Sequence, residues 1–190
     1  MKELLWRLVA RIVSRPRVSN WLIRRSWRTP YSDIIGPDKT LYMKRWWLFN
    51  PYPPMDGEDT RSKLMRALPS VRIHYIRRPD TDRHLHDHPW NARTVVIDGW
   101  YEEERPSSTP LRRGWIGLRV MKSGEERDVF RRDAGYTGPL LFGQYHRISR
   151  VSPSGVMTLF ITWKKQGTWG FEVDGRKVPW REYLGLGEVQ

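Results

Sequence analysis

The sequence predicts an all-β domain with a basic helical arm in front of it, and three observations carry that expectation. From about residue 69 onward, short runs alternate apolar and polar side chains: Val71 to Ile76, Arg93 to Ile97, Trp115 to Met121, Glu126 to Phe130 and Val156 to Trp163. A period of two is the mark of a strand with one buried face. Turn formers separate the runs, at Asp98-Gly99, Ser123-Gly124, Asp133-Ala134-Gly135, Ser152-Pro153-Ser154-Gly155 and Asp174-Gly175, and their glycines supply the positive φ of tight hairpins. Finally, eleven tryptophans in 190 residues give one domain of this length a core to bury.

The elements follow in order. Residues 1–48 read as the arm and carry much of the positive charge, eleven basic residues against three acidic ones in a chain of net charge +13. Leu5, Leu8, Val9 and Ile12 recur at helical spacing, with Arg7, Arg11 and Arg15 on the other side, until Pro16 stops the pattern. A second short run, Trp21-Leu22-Ile23, is again followed by arginines. Three roles fit this arm: packing of the stripe on the barrel or on a second subunit of a homodimer, docking of residues 1–28 on an anionic membrane surface, or binding of nucleic-acid phosphates. An organellar targeting segment fits less well, because of Glu3 and the tryptophans. Residues 49–177 read as the β-domain. Residues 178–190 read as a tail whose Val178 to Leu184 forms a short helix or turn folded back on it.

Some classes are set aside by composition. Without cysteine there is no disulfide framework, no thiolate nucleophile and no Cys-rich zinc site, so a metal would be held by histidine and carboxylate. No apolar stretch approaches the roughly 20 residues that span a bilayer, and arginine interrupts every signal-peptide core. A soluble or peripheral, cytoplasmic protein is expected.

Chemistry concentrates in Asp82-Arg83-His84-Leu85-His86-Asp87-His88-Pro89-Trp90, where three imidazoles stand two residues apart and on a strand would share one face. From the His86/His88 pair, three residues lead to Ala92 and six more to Gly99. Farther on stand Gly135, Gly143 and His146. Together these residues resemble the two signature motifs of the cupin superfamily, G-x5-H-x-H-x3,4-E-x6-G and G-x5-P-x-G-x2-H-x3-N, over roughly residues 70 to 165. Ala92 replaces the glutamate ligand, Asp80 the opening glycine, Leu141 the proline and Arg150 the asparagine. The chain further resembles uncharacterised cupin-like proteins of phages and prophages with an HDHPW segment and a G-x-Y-x-E stretch, a likeness that brings no known activity.

The resemblance implies a double-sheet jelly roll, also called a double-stranded β-helix, which suits the strand spacing. It implies that His86, His88 and His146 hold one divalent transition metal, with Fe preferred over Zn, Mn or Ni, and that the protein is a metal-dependent enzyme acting on a small molecule, such as an iron-dependent dioxygenase. A three-histidine shell resembles that of thiol dioxygenases and some diketone-cleaving cupins. The other reading is a non-enzymatic binding or structural module, phage-associated and anchored by its basic arm, whose histidines merely line a pocket. His84 is expected at the rim. On Gly99 to Glu104, Tyr101 and Glu103 share a face; if it points inward, Glu103 would ligate the metal or serve as general acid/base, with Tyr101 beside it. Asp87 alternates away. Parity puts Arg150 on the side of His146 and Arg147 opposite, while Arg93, Arg147 and Arg150 are candidates for an anion clamp at the barrel mouth. Tyr145, Phe160, Trp163, Trp169 and Phe171 read as core.

Overall fold

The computed structural model describes residues 1–36, 38–53, 58–107, 118–122 and 124–186. Residues 115–117 of an expected strand, Ser123 of an expected turn and residues 187–190 of the tail lie outside this set. Alternation and turn chemistry produce twelve strands among the described residues: β1 (Ile34–Ile35), β2 (Leu41–Phe49), β3 (Ser70–Ile76), β4 (Trp90–Asp98), β5 (Trp100–Pro106), β6 (Leu118–Lys122), β7 (Glu125–Asp133), β8 (Thr137–Leu140), β9 (Arg147–Val151), β10 (Val156–Lys165), β11 (Gly170–Val173) and β12 (Arg176–Pro179). Their helices are α1 (Lys2–Val13), α2 (Pro16–Ser26), α3 (Lys63–Ala67) and α4 (Trp180–Tyr183). A six-stranded sheet of order β1-β2-β3-β10-β4-β8 faces a four-stranded sheet of order β6-β7-β5-β9, and β11-β12 is a separate hairpin. The ladders are antiparallel. This is the β-sandwich of jelly-roll type that the sequence predicts.

Met43, Ile76, Val96 and Val156 of the large sheet meet Tyr101 and Ile148 of the small one, forming the core between the sheets. The outer face of the large sheet is buried as well, since Ile73, Val95, Ile97, Leu159 and Ile161 pack against Ala10 of α1 and Ile23 of α2, with Trp6 and Val13 beside them. Burial on both faces explains why β4 is occluded continuously from Ala92 to Ile97 instead of on alternate residues. Arg93 belongs to the outer face: its Nη2 donates to Glu3 Oε1 at 2.5 Å and its guanidinium stacks 4.9 Å from the Trp6 ring. It fastens α1 to the sheet and does not clamp an anion at the mouth.

The segment read as an arm therefore divides. Residues 41–48 lie in β2, a strand of the large sheet. The side of α1 that packs is Trp6, Ala10 and Val13, not the stripe of Leu5, Leu8 and Ile12, which is exposed.

One turn decides how the chain passes between sheets. Gly99 joins β4 to β5 at φ +73, and a Cβ there would meet Gly155 O and Ser152 Oγ at 2.6 Å. Left-handed backbone and close approach both demand glycine. Gly99→Ala should cost about 1–3 kcal/mol from backbone strain alone, read as a lowered urea midpoint with unchanged m-value. An unchanged midpoint would show that this corner tolerates a side chain.

Candidate metal centre

The H-x-H segment is held by neighbours on both sides. His86 N–H donates to His146 O and His146 N–H to His86 O, each at 2.9 Å, while Glu172 N–H donates to Leu85 O at 2.8 Å. Only His86 forms a bridge, to His146 on one side and Phe171 on the other, so residues 82–88 are not a regular strand. This is why the three imidazoles do not share a face. His84 turns away and its Nδ1 bonds to Tyr183 Oη of α4 at 2.9 Å. Asp87 also turns away, fully buried, accepting from Gly170 N–H at 2.8 Å and from Lys177 Nζ at 2.5 Å. It pins the β11-β12 hairpin beside the histidines.

His86, His88 and His146 converge. Each offers one ring nitrogen, and these lie within 4.8 Å of one another in a group that can hold a metal ion. His88 Nε2 and His146 Nε2 are 2.8 Å apart, close to the roughly 3 Å between adjacent nitrogens that each sit ~2.1 Å from one ion. Burial lowers His86 to about 4, against the pull of Asp80, whose Oδ2 is 4.0 Å from His86 Nδ1. Burial also holds His88 well below the usual histidine range, helped by the charges of His146, His86, His74 and Arg72. Both rings are therefore neutral near pH 7, the form that ligates.

Glu103 is buried behind His146, its Oε1 at 3.1 Å from Nδ1, although the ring N–H is not well aimed at that oxygen. Arg105 Nη2 donates to Oε1 at 2.8 Å, and Arg132 donates to Oε2 from Nε at 2.9 Å and from Nη2 at 2.8 Å. Burial works to raise the Glu103 carboxyl, but Arg105, His146 and Arg132 outweigh it and hold the group well below the usual carboxylate range. The Glu103 carboxylate thus meets His146 on its Nδ1 side, while Nε2 faces His88. Tyr101 shares the inward face with Glu103 but packs in the core between the sheets. Ala92, where a ligand glutamate would stand, forms an apolar wall with Leu140 and Phe160.

The expected parity around His146 fails. Glu102 pairs with Arg150 but Glu103 with Ile148, so Ser149 is an extra residue, a bulge that reverses the alternation. Arg150 consequently lies outside, pairing with Glu102 at 3.3 Å. Arg147 is buried, donating to Asp80 O at 3.1 Å. Of the aromatics read as core, Phe160 and Phe171 are buried, Tyr145 and Trp169 half-buried, and Trp163 exposed.

Two residues missed in the sequence stand behind the centre. His74 stacks on Phe160 with centroids 4.8 Å apart, and the Phe160 ring is 5.8 Å from that of His88. Arg72, opposite Phe160 in the ladder, is buried among the rings of Trp47, Tyr52, Trp90 and Phe160 at 5.3–5.6 Å, and burial lowers it to about 10. The alternation of Val71 to Ile76 held the clue, since Arg72 and His74 fall on the inward side with Ile76.

No family model matches the sequence, and no curated protein matches it. Solved structures of oxalate decarboxylase from Bacillus subtilis are similar to it. A glutamate-to-alanine mutant of that enzyme aligns with a TM-score of 0.47 at 15% identity, over 87% of this chain and 33% of the other. A structure titled for the enzyme's Mn(II) centres gives 0.47 and 15%, over 88% and 33%. The enzyme at pH 4.6 gives 0.46 and 15%, over 83% and 32%. This chain thus spans about a third of the length of the structures it resembles.

Proposed function

We propose that the chain is a metal-dependent enzyme of cupin type acting on a small molecule, with His86, His88 and His146 as the ligands of one divalent transition metal. The observation that carries this reading is the convergence of three ring nitrogens within 4.8 Å, those of His88 and His146 at 2.8 Å, where burial keeps His86 and His88 neutral. Fe(II) is the first ion to test, with Zn(II), Mn(II) and Ni(II) the others that imidazole accepts. Three protein ligands leave positions at which a bound ion polarises or activates a small molecule. The protein's own contribution is to hold those ligands. Glu103, fixed by Arg105 and Arg132, orients His146 through Nδ1 and leaves Nε2 for ligation, as carboxylates behind metal-bound imidazoles do. Phe160, Ala92 and Leu140 supply a dry wall.

Protein purified without a histidine tag and reconstituted with each ion should retain one equivalent of metal. His86→Ala, His88→Ala and His146→Ala should each abolish retention. His84→Ala should leave it unchanged, because His84 is engaged with Tyr183. Wild-type protein that retains none of the four ions would overturn the reading.

A second reading, a non-enzymatic cupin-like module, is favoured by one observation. Trp169 and Phe171 lie edge-on to His86 at 6.1 and 5.9 Å, and Tyr183 and Trp180 stack behind them, so an aromatic cover lies over one ligand. Nitric oxide distinguishes the two. A nitrosyl adduct on the Fe(II)-loaded protein supports the enzyme, and an ion that accepts no outside ligand supports the module.

A further inference from the structure

We propose that the outward faces of α1 and α2 form a docking surface for an anionic phospholipid bilayer. The argument rests on how these helices sit on the sheet and is independent of the metal centre.

α1 is apolar on two opposite sides. Trp6, Ala10 and Val13 pack on the large sheet. At about 100° per residue, Leu4, Leu5, Leu8 and Ile12 fall on the far side. They are exposed by 68%, 61%, 55% and 42%. A helix with apolar surface on both sides wants burial on both, and the sheet supplies one. α2 buries Ser19, Ile23 and Ser26, which turns Arg17, Trp21 and Arg24 outward. With Asn20, Arg25 and Arg28 these residues line an open cleft of about 510 Å³. Because both helices pack on the same face of the same sheet, the leucine ridge and the arginine cleft both look away from the domain.

Charge selects the occupant. Residues 1–28 hold eight basic side chains and one acid, Glu3, which is committed to Arg93. Among the described residues none of the seven arginines of this segment has a carboxylate within ion-pair distance. A second copy of the chain on a two-fold axis would set the arginine cleft against itself or against another uncompensated cation. A nucleic acid would satisfy the arginines but leave the leucine ridge in water. Only a surface with phosphate above hydrocarbon meets both, and a tryptophan between them suits the boundary. Among the described residues no helix is long and apolar enough to cross a membrane, which fits a pair of helices lying in the plane of the surface.

The test is co-sedimentation of the full chain with vesicles of phosphatidylcholine alone and with phosphatidylglycerol added. Binding should appear only with the anionic lipid and weaken as salt rises. Leu5→Ser with Leu8→Ser should weaken it about tenfold or more, the loss expected from two buried leucines, with thermal unfolding unchanged because both side chains are exposed. Arg17→Gln with Arg24→Gln should weaken it comparably. Binding that survives the leucine changes intact would mean that charge alone attracts the protein, as a nucleic acid would, and would overturn the proposal. So would a folded wild-type chain that ignores anionic vesicles, or one whose leucine changes dissolve a dimer instead.

Discussion

Glu103→Ala should lower the unfolding free energy by about 3–5 kcal/mol, the cost of stranding buried charge. Glu103 is 1% exposed and accepts three charge-assisted hydrogen bonds from Arg105 and Arg132, whose side chains are 14% exposed. Removing the carboxylate leaves two guanidinium groups near the core with nothing to offset them. The Phe130 and Tyr136 rings, 4.4 and 4.3 Å from the Arg132 guanidinium, cannot replace an anion. Glu103→Gln keeps the shape and one acceptor, so its penalty should be smaller. Urea denaturation of both variants checks the order. A loss under about 1 kcal/mol for alanine would show that water reaches this network and screens it.

Acidifying the metal-free protein from pH 7 to pH 4 should remove a comparable amount. An unfolded histidine takes up its proton near pH 6.5, whereas burial delays His86 until about 4. Between those values the unfolded chain binds more protons than the folded one, so stability falls as pH falls. For His86 alone the loss is on the order of 3 kcal/mol, an upper bound because its ring is still 15% exposed. His88, lowered for the same first reason, steepens the slope. Glu103 adds to it from the ordinary carboxylate range downward, where the unfolded chain takes up a proton that the folded carboxyl, held well below its usual value, does not. His86→Gln should flatten the profile between pH 6.5 and 4 when unfolding midpoints are measured across that range. An unchanged profile would place the acid sensitivity elsewhere.

Much of the sandwich was legible because strand alternation is local. Val71 to Ile76 shows it directly in the sequence, and Val156 to Trp163 falls within β10, although residues 158–162 are buried without a break between β3 and β4. β4, read as alternating from Arg93 to Ile97, is instead buried continuously from Ala92 to Ile97, because α1 and α2 cover its outer face and the small sheet its inner one. The spacing of the motifs brought out the three converging histidines, whose separation along the chain is closed by the His86 to His146 bridge. What failed was parity carried through irregular backbone. His84 lies in a bend and the Ser149 bulge sends Arg150 outward, and neither irregularity has a signature such as glycine or proline at the site. The partners of Glu103 were hidden for another reason: Arg105 follows it on β5 itself, but Arg132 lies on β7 and His146 just before β9, and only the ladders bring these two alongside.

The position of β10 between β3 and β4 sets the order in which the molecule can assemble. β3 can zip to β2, and β4 to β8, while the chain is still being made, but those two half-sheets stay apart until Val156–Lys165 has emerged and slid between them. Ile76 waits for Val156, about 80 residues later, a separation that slows folding through the entropy of loop closure. During that interval two raw edges carry Ile73 and Val95, whose side chains are otherwise wholly covered. Such edges recruit strands from other chains. The hazard this topology poses during synthesis is therefore one of timing, and slower, cooler expression should raise the yield of monodisperse protein more than any single stabilising substitution.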